Sequence, residues 1–242
     1  MEPTPTSRTA GPNQPASPPL RLRTWGIAAG GFAVVAALGL ALPLGELGWR
    51  VLALVVIFHL GVVVLARSTG DTVLWRMWVI LAPMSVLMVL PDWFLSAVLQ
   101  TLYFPDTGSP FIGTVPIFMA GMWTIALMPV VVVGLVTAGR RDRATSTGQL
   151  IAGATAAGLG GLVMFFGAEL LAPAIPLWEP TGVAMTAGVA SYVLIPEIVL
   201  SAATFAVVAT SWRIPHVATA SLTVLLPFTY TGLLATAYQF LG

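Results

Sequence analysis

A chain of 242 residues in which 8 % are charged and 57 % are apolar has too few charges to cover the surface of a soluble protein, where about 25 % is usual. A bilayer removes that need, because positions that face lipid can be apolar. The net charge of +1, with no basic patch, argues against nucleic acid as a partner. The absence of cysteine excludes disulfides and thiolate catalysis, and the absence of lysine excludes a retinal Schiff base.

The first 20 residues differ in composition from the rest of the chain. They contain six prolines among Ser, Thr, Gly, Asn and Gln, without an apolar period. Such a segment cannot bury enough surface to offset its ordering entropy, so we predict a disordered cytosolic tail at 1–20 and one transmembrane domain at 21–242. A cleavable signal peptide is the competing interpretation, but the next apolar run reaches Leu42 without a small-x-small cleavage site.

Seven apolar runs follow, and each reaches or approaches the roughly 20 residues that cross a 30 Å hydrocarbon core. They lie at about 24–43, 49–66, 77–102, 112–138, 149–172, 182–211 and 216–241. We therefore predict an all-α, polytopic membrane protein with seven transmembrane helices.

The arginines predict the orientation of these helices. With the N-terminus placed inside, the outer segments hold only Arg50, whereas nine arginines fall in the inner segments. The inner ones are Arg8, Arg21, Arg23, Arg67, Arg76, Arg140, Arg141, Arg143 and Arg213. We expect a multi-pass protein of the cell membrane with a cytosolic N-terminus and an external C-terminus.

The third and sixth predicted helices share a proline–acid motif. Residues 90–97 read LPDWFLSA and residues 195–202 read IPEIVLSA, which both fit Φ-Pro-acid-x-x-Leu-Ser-Ala. Helices three apart cross the membrane in opposite senses, so the match favours an inverted repeat of helices 1–3 and 4–6, with helix 7 added. Proline-interrupted helices at corresponding places in two halves point to a site at the repeat interface.

Asp92 and Glu197 are the leading candidate site residues. Counted from the predicted helix ends, both lie near the bilayer midplane, as does His59. An acid at that depth costs roughly 2.5–3.5 kcal/mol on insertion, so the two should face the bundle interior and find partners. Each proline should also leave the backbone carbonyl one turn earlier without its helical hydrogen-bond donor. This opens a polar notch beside the acid. The alternative is that both carboxyls only hold neighbouring helices together.

Further residues extend the candidate site. We assign His59 and Glu169 as catalytic assistants; Glu169 lies near the outer end of helix 5, and a packing role is the open alternative for His59. The assigned substrate-binding residues are Trp93, Phe94, Trp123, Tyr192 and Gln100, and packing is the alternative for the four aromatic ones. Gly153, Ala157 and Gly161 follow the small-xxx-small pattern and predict a close helix contact.

This set of residues suits acid chemistry. Burial disfavours the charged form of a carboxyl group, so such a group can donate a proton inside an apolar cavity. A fitting substrate is a lipid-soluble alkene, which is protonated to a carbocation and shielded from water by aromatic faces. A second carboxylate, or His59, would take the proton back. We expect no metal and no cofactor, because the chemistry needs neither and the Asp-rich magnesium motifs of diphosphate ionisation are absent from the sequence.

Residues 90–102, LPDWFLSAVLQTL, resemble the Pro-x-Glu-Glu-(Phe/Leu) helix of the small integral-membrane lycopene cyclases, which consist of tandem three-helix units. The seven-helix membrane cyclases of meroterpenoid pathways are similar in size and also use buried acids. The resemblance implies that Asp92 and Glu197 are the acids of the two units. This chain departs from the pattern, because a single acid follows each proline directly.

The sequence thus predicts a cofactor-free membrane enzyme of isoprenoid metabolism, an isomerase or lyase that cyclises, isomerises or hydrates a terpenoid or carotenoid. Its partners would be the bilayer and a lipophilic small molecule. The alternative is a proton-coupled transporter of a small solute, because inverted repeats and buried acids also occur in transporters. A binding or assembly protein with structural acids is the third possibility.

Overall fold

The computed structural model of the protein describes residues 21–139 and 146–242. The predicted disordered tail at 1–20 and the arginine cluster at 140–143 lie outside the described residues. Within the described part of the chain, seven helices are long and apolar enough to cross a membrane. The predicted all-α fold with seven spans is therefore confirmed, with only a few two-residue strands added in the loops.

The spans follow one another along the chain, and the longest connections lie between the third and fourth spans and between the fifth and sixth. The helices are α1 (Leu22–Ala41), α2 (Leu47–Thr69), α3 (Thr72–Leu87), α4 (Val89–Trp93), α5 (Met119–Thr137), α6 (Thr147–Leu171), α7 (Leu194–Thr210) and α8 (His216–Leu241). The strands are β1 (Leu102–Tyr103), β2 (Phe111–Ile112), β3 (Val115–Pro116), β4 (Glu179–Pro180), β5 (Met185–Thr186) and β6 (Val189–Ala190). The third span combines α3, α4 and the π-helical segment Phe94–Leu99, and the sixth joins the 3-10 turn Ser191–Val193 to α7.

The third span is broken near its proline. α3 ends at Leu87, α4 begins at Val89, and Pro91 lies inside this second helix. Because proline has no N–H, it cannot bond the carbonyl of Leu87 one turn earlier, and the helix restarts instead of continuing. The π-helical segment then ends at Gln100, whose φ of 55° is left-handed. The polar notch predicted in this span therefore coincides with an observed break.

Two of the predicted helices begin later than expected. β2 and β3 form a hairpin before α5, and β5 and β6 form another before α7. Both are apolar, so they read as helix in the sequence, but each closes on a two-residue turn with positive φ. Gly113 has φ 64° in the first turn, and Ala187 and Gly188 have φ 53° and 83° in the second.

The two loops that carry these hairpins meet at one end of the bundle. Leu102 pairs with Pro180, and Tyr103 with Glu179, so that β1 and β4 are antiparallel neighbours. We call this end, formed by residues 100–118 and 172–193, the hairpin end. The third span ends here and the sixth begins here.

Both proline–acid motifs therefore lie toward the hairpin end and not at the middle of their spans. Asp92 is about two turns before Leu99, and Glu197 is about one turn after Leu194. Pro196 lies in the first turn of α7, where the missing N–H has no helical partner to lose, so the notch predicted there does not form. The motifs occupy different places in their helices, and the fold gives the inverted repeat no support.

Helices α5, α6 and α7 pack closely through small residues. A Cβ on Gly153 of α6 would lie 2.8 Å from the carbonyl oxygen of Gly134 in α5. A Cβ on Gly161 would overlap the hydroxyl of Ser201 in α7, and Ala157 between them is fully buried. The close contact predicted from the small-xxx-small pattern is confirmed.

Candidate active site

A cavity of about 230 Å³ lies next to the hairpin end. Its wall is built by α4, α5, α6, α7 and α8 together with residues of the two loops. Five residues predicted from the sequence line it together: Asp92, Trp123, Glu169, Tyr192 and Glu197. Three carboxyl groups from three different spans thus open into one largely apolar space.

Asp92 belongs to α4 and is 3 % exposed. The indole N–H of Trp123 in α5 donates to its Oδ2 across 3.0 Å. An indole nitrogen can only donate, so Oδ2 acts as an acceptor and a proton on this carboxyl belongs on Oδ1. The bond fixes the orientation of the acid at the break in the third span.

Glu197 projects from the first turn of α7 and is 6 % exposed. Its Oε2 is buried and has no hydrogen-bond partner among the described residues. A buried carboxyl oxygen without a donor is uncommon, because each such group costs free energy that a partner would recover. Glu197 is therefore the group in this cavity with the greatest unmet capacity to bind a proton or a ligand.

Glu169, near the end of α6, is the third acid. The indole N–H of Trp178 donates to its Oε1 across 2.9 Å, and both side chains are half-buried. Trp178 comes from the loop before β4, so the bond ties the end of α6 to that loop. The arrangement repeats the pairing of Asp92 with an indole donor on the other side of the cavity.

Aromatic rings form much of the wall between the acids. The ring of Trp123 is 5.4 Å from that of Phe165 and 5.8 Å from that of Tyr230, centroid to centroid. The hydroxyl groups of Tyr192 and Thr101 share a hydrogen bond of 2.8 Å. Rings in such contacts present π faces that attract positive charge.

The charge pattern of the cavity restricts what it can hold. Among the described residues that line it, none is an arginine or a histidine, and three are acids. Without a basic group, an anionic ligand would meet only carboxyls and ring faces. The cavity therefore suits an apolar molecule, a cation, or a neutral molecule that becomes positively charged during a reaction.

His59 does not reach this cavity. It lies in α2, where its Nδ1 accepts from the indole N–H of Trp78 at 3.1 Å and its Nε2 lies 3.1 Å from the carbonyl oxygen of Gly121. These two bonds require the neutral tautomer with the proton on Nε2. Both ring nitrogens are engaged, and the packing alternative describes this residue better than the catalytic one.

Three predicted substrate-binding residues also lie elsewhere. Trp93 is 41 % exposed and faces a shallow groove beside Ile112 and Gly113. Phe94 packs against the core of the bundle. Gln100 is exposed at the left-handed end of the third span, and its carbonyl accepts a hydrogen bond from Thr181. None of the three lines the cavity.

Other lining residues were missed in the sequence. Phe165 and Tyr230 carried no motif, since aromatic side chains are common in membrane helices. Trp178 could have been found as an interfacial tryptophan in the loop that returns toward Glu169, but its role as donor depends on a turn that no pattern marks.

These observations define the protein as a multi-pass α-helical membrane protein with an acidic, aromatic cavity near one end of its bundle. The chain belongs to the family described as domain of unknown function DUF6989, whose model matches residues 89–241. The match begins at α4 and includes all three cavity acids, while α1, α2 and α3 precede it. No curated protein and no solved structure matches the chain.

Proposed function

We propose that the protein is a cofactor-free integral-membrane enzyme of isoprenoid metabolism, which cyclises, isomerises or hydrates an alkene by Brønsted acid catalysis. The observation that supports this most is the meeting of Asp92 and Glu197 in one aromatic-walled cavity, whose lining within the described residues has no basic side chain. Two carboxyls in such a space can act as acid and base on a substrate that carries no charge of its own.

The proposed reaction begins with proton transfer from one carboxyl to an alkene carbon. The π electrons form the new C–H bond, the neighbouring carbon becomes cationic, and the carboxyl becomes a carboxylate. The faces of Trp123, Phe165 and Tyr230 would stabilise that cation, and the apolar wall would keep water away from it. The second carboxyl, in its ionised form, then removes a proton from an adjacent carbon, and the electrons of that C–H bond form the new double bond.

The resemblance to the small membrane lycopene cyclases supports the same chemistry. The similar stretch, residues 90–102, contains Asp92 and runs from α4, directly after the break in the third span, into β1. Three further residues of this stretch, Leu95, Thr101 and Leu102, line the cavity beside Asp92. The single acid after each proline separates this chain from the Glu-Glu pattern of those enzymes.

The substrate class follows from the surroundings of the cavity. A terpenoid or carotenoid is dissolved in the bilayer, where the seven spans place this protein. The cavity wall contains methionine, leucine and aromatic side chains, which match a branched hydrocarbon chain. The enzyme would act in the cell membrane, with its N-terminus in the cytosol as the arginine distribution predicts.

A comparison of lipid extracts tests this proposal. Cells that supply linear isoprenoids would receive the gene for the native chain or for the Asp92→Asn, Glu197→Gln double variant. The native chain should produce a new lipid of the same mass as its precursor, or heavier by one water, which the double variant does not make. Extracts that are identical with and without the native gene, across carotenoid and terpenoid precursors, would overturn the proposal.

The second candidate is a proton-coupled transporter of a small solute. It is favoured by the three carboxyls, which have no basic partner in the part of the chain that the structure describes, because such a site can bind protons and a cationic solute in competition. Proteoliposomes with an imposed pH gradient would accumulate the solute if this candidate is correct. Uptake that Glu197→Gln abolishes, together with unchanged lipids, would replace the enzyme proposal by this one.

A further inference from the structure

Three oxygen atoms on one face of α7 are buried without partners. They are Oε2 of Glu197, Oγ of Ser201 and Oγ1 of Thr204, and none has a hydrogen bond within residues 21–139 and 146–242. Ser201 and Thr204 are 0 % exposed, so lipid and bulk solvent cannot serve as their surroundings. Buried polar atoms in native proteins are normally satisfied by protein or ordered water, and three in succession therefore need a common explanation.

Several other helical threonines of this protein behave differently. Thr210 bonds the carbonyl of Ala206 at 2.7 Å, and Thr223 bonds that of Thr219 at 2.8 Å, each one turn earlier on its own helix. This local bond is the usual way in which a hydroxyl is satisfied inside a helix. Ser201 and Thr204 do not make it, so their hydroxyl groups are left to bind something outside α7.

The three groups belong to a longer polar face. At 100° per residue, positions 197, 201, 204 and 211 fall within an arc of about 80° on α7 and its first following turn. From Glu197 to Ser211 the distance along the axis is about 21 Å. At the far end, Ser211 is buried, and its hydroxyl accepts a hydrogen bond from Nε of Arg76 at 3.0 Å. The face thus runs from the cavity to the opposite end of the bundle.

We propose that this face of α7 binds a chain of water molecules that carries protons between Glu197 and the end of the bundle at Ser211 and Arg76. Glu197, Ser201 and Thr204 would each bond one water, that of Ser201 on the side turned away from Gly161 of α6, and the buried Val208 separates Thr204 from Ser211. That gap is about 10 Å along the helix, which about three further waters would bridge. For its role in catalysis this inference rests on the proposed function, but the water chain itself can be tested without any substrate.

The role of such a path follows from the proton balance of the reaction. In each turnover one carboxyl gives a proton to the alkene and the other receives one from the intermediate, so transfer of one proton between the two carboxyls restores both. The pair must still acquire its shared proton in a cavity shielded from water. A water chain ending at Glu197 lets the pair gain or lose that proton by successive O–H transfers, in which each water accepts one proton and passes one on.

Introduced cysteines test the water chain directly. The native chain has no cysteine, so each variant carries one thiol only. Ser201→Cys and Thr204→Cys place it on the polar face. Ala209→Cys is the matched control, because Ala209 is also 0 % exposed on α7 but lies about 120° from Glu197 around the helix. Sealed vesicles would be treated with silver ion and with 2-aminoethyl methanethiosulfonate, and the remaining thiol counted after denaturation.

Thiols on the polar face should react at least 10-fold faster than that of Ala209→Cys, and fastest from the membrane side of Ser211. Equal rates for all three would overturn the proposal, whatever the lipid assay finds.

A second measurement covers variants that fold poorly. If no water is bound at Thr204, Thr204→Val removes an unsatisfied hydroxyl and should raise the Tm in detergent. If a water is bound there, the substitution removes its hydrogen bond and should lower the Tm. A raised Tm would also overturn the proposal.

Discussion

Trp123 holds Asp92 in place: its indole N–H lies 3.0 Å from Oδ2, and both residues are buried where the third span breaks beside α5. The tryptophan also presents its ring to Phe165 and Tyr230. One side chain therefore orients the acid and forms part of the aromatic wall that the acid faces.

Replacing Trp123 by phenylalanine should uncouple these two roles. Trp123→Phe keeps an aromatic ring but loses the donor to Asp92. A double-mutant cycle with Asp92→Leu, followed by thermal unfolding in detergent, should give a coupling free energy near 0.6 kcal/mol and not above about 1.7 kcal/mol, the range for hydrogen bonds between membrane helices. A coupling of zero would show that the bond does not contribute in the folded protein.

The amide variants separate acid catalysis from a structural role. Asp92→Asn and Glu197→Gln preserve size and hydrogen-bonding capacity but cannot donate a proton. Each should lower turnover by about 10²-fold or more, because that is the contribution of a general acid or base, while Tm changes little. Glu179→Gln, an exposed acid on β4 outside the cavity, is the control and should retain activity. Full activity in both amide variants would contradict the catalytic roles.

Gly153 should tolerate no side chain. A Cβ there would meet the carbonyl oxygen of Gly134 at 2.8 Å and would overlap the ring of Phe205. Gly153→Ala should therefore lower stability by about 1–3 kcal/mol through overpacking. Gly167→Ala on the same helix meets nothing within 4 Å and should leave Tm unchanged or slightly raised. Equal Tm values for the two variants would refute the close approach of α5 and α6.

His59→Leu should affect folding and not chemistry. The variant removes both hydrogen bonds of the ring and leaves the indole N–H of Trp78 without its acceptor. Leaving a buried donor unsatisfied costs about 1–3 kcal/mol, and because Trp78 is half-buried we expect a loss at the lower end of that range, which a lower Tm would report. Product formed per folded molecule should stay at the native level. A selective loss of turnover with unchanged Tm would restore His59 to the catalytic set.

The arginine distribution predicts the direction of the seven spans. A reporter that works only outside the cytosol should be active when fused after Gly242 and inactive when fused after Gly139. A reporter that works only in the cytosol should give the opposite pattern. If both fusions report the same side, the seven-span arrangement or its direction is incorrect.

The fold could be predicted from the sequence because membrane spans are long and strongly apolar. The hairpins before α5 and α7 could not, since their strands are as apolar as the helices and their pairing depends on turns at Gly113 and at Ala187–Gly188. For this reason the predicted helix ends are misplaced. The sequence predicts Glu197 near mid-membrane, whereas it lies in the first turn of α7.

The site was predictable only where the residue type is costly in lipid. Asp92, Glu169 and Glu197 could be found because an acid inside a span costs free energy on insertion, so its presence indicates a role. Trp93 and Trp123 could not be distinguished in this way, since both are aromatic, both are in spans, and only their direction differs: one faces the outside of the bundle and the other faces the acid.

The pairing of Leu102–Tyr103 with Glu179–Pro180 has a consequence for how the chain assembles. One strand follows the third span and the other precedes the sixth. A nascent chain therefore contains both strands only after five spans have been synthesised. Asp92 and Glu169 belong to earlier spans and are inserted before Glu197. The cavity is therefore incomplete until the sixth span is inserted. Because contacts between distant segments form slowly, the closing of this end is a late event in biogenesis, and the chain remains exposed to quality control until it is complete.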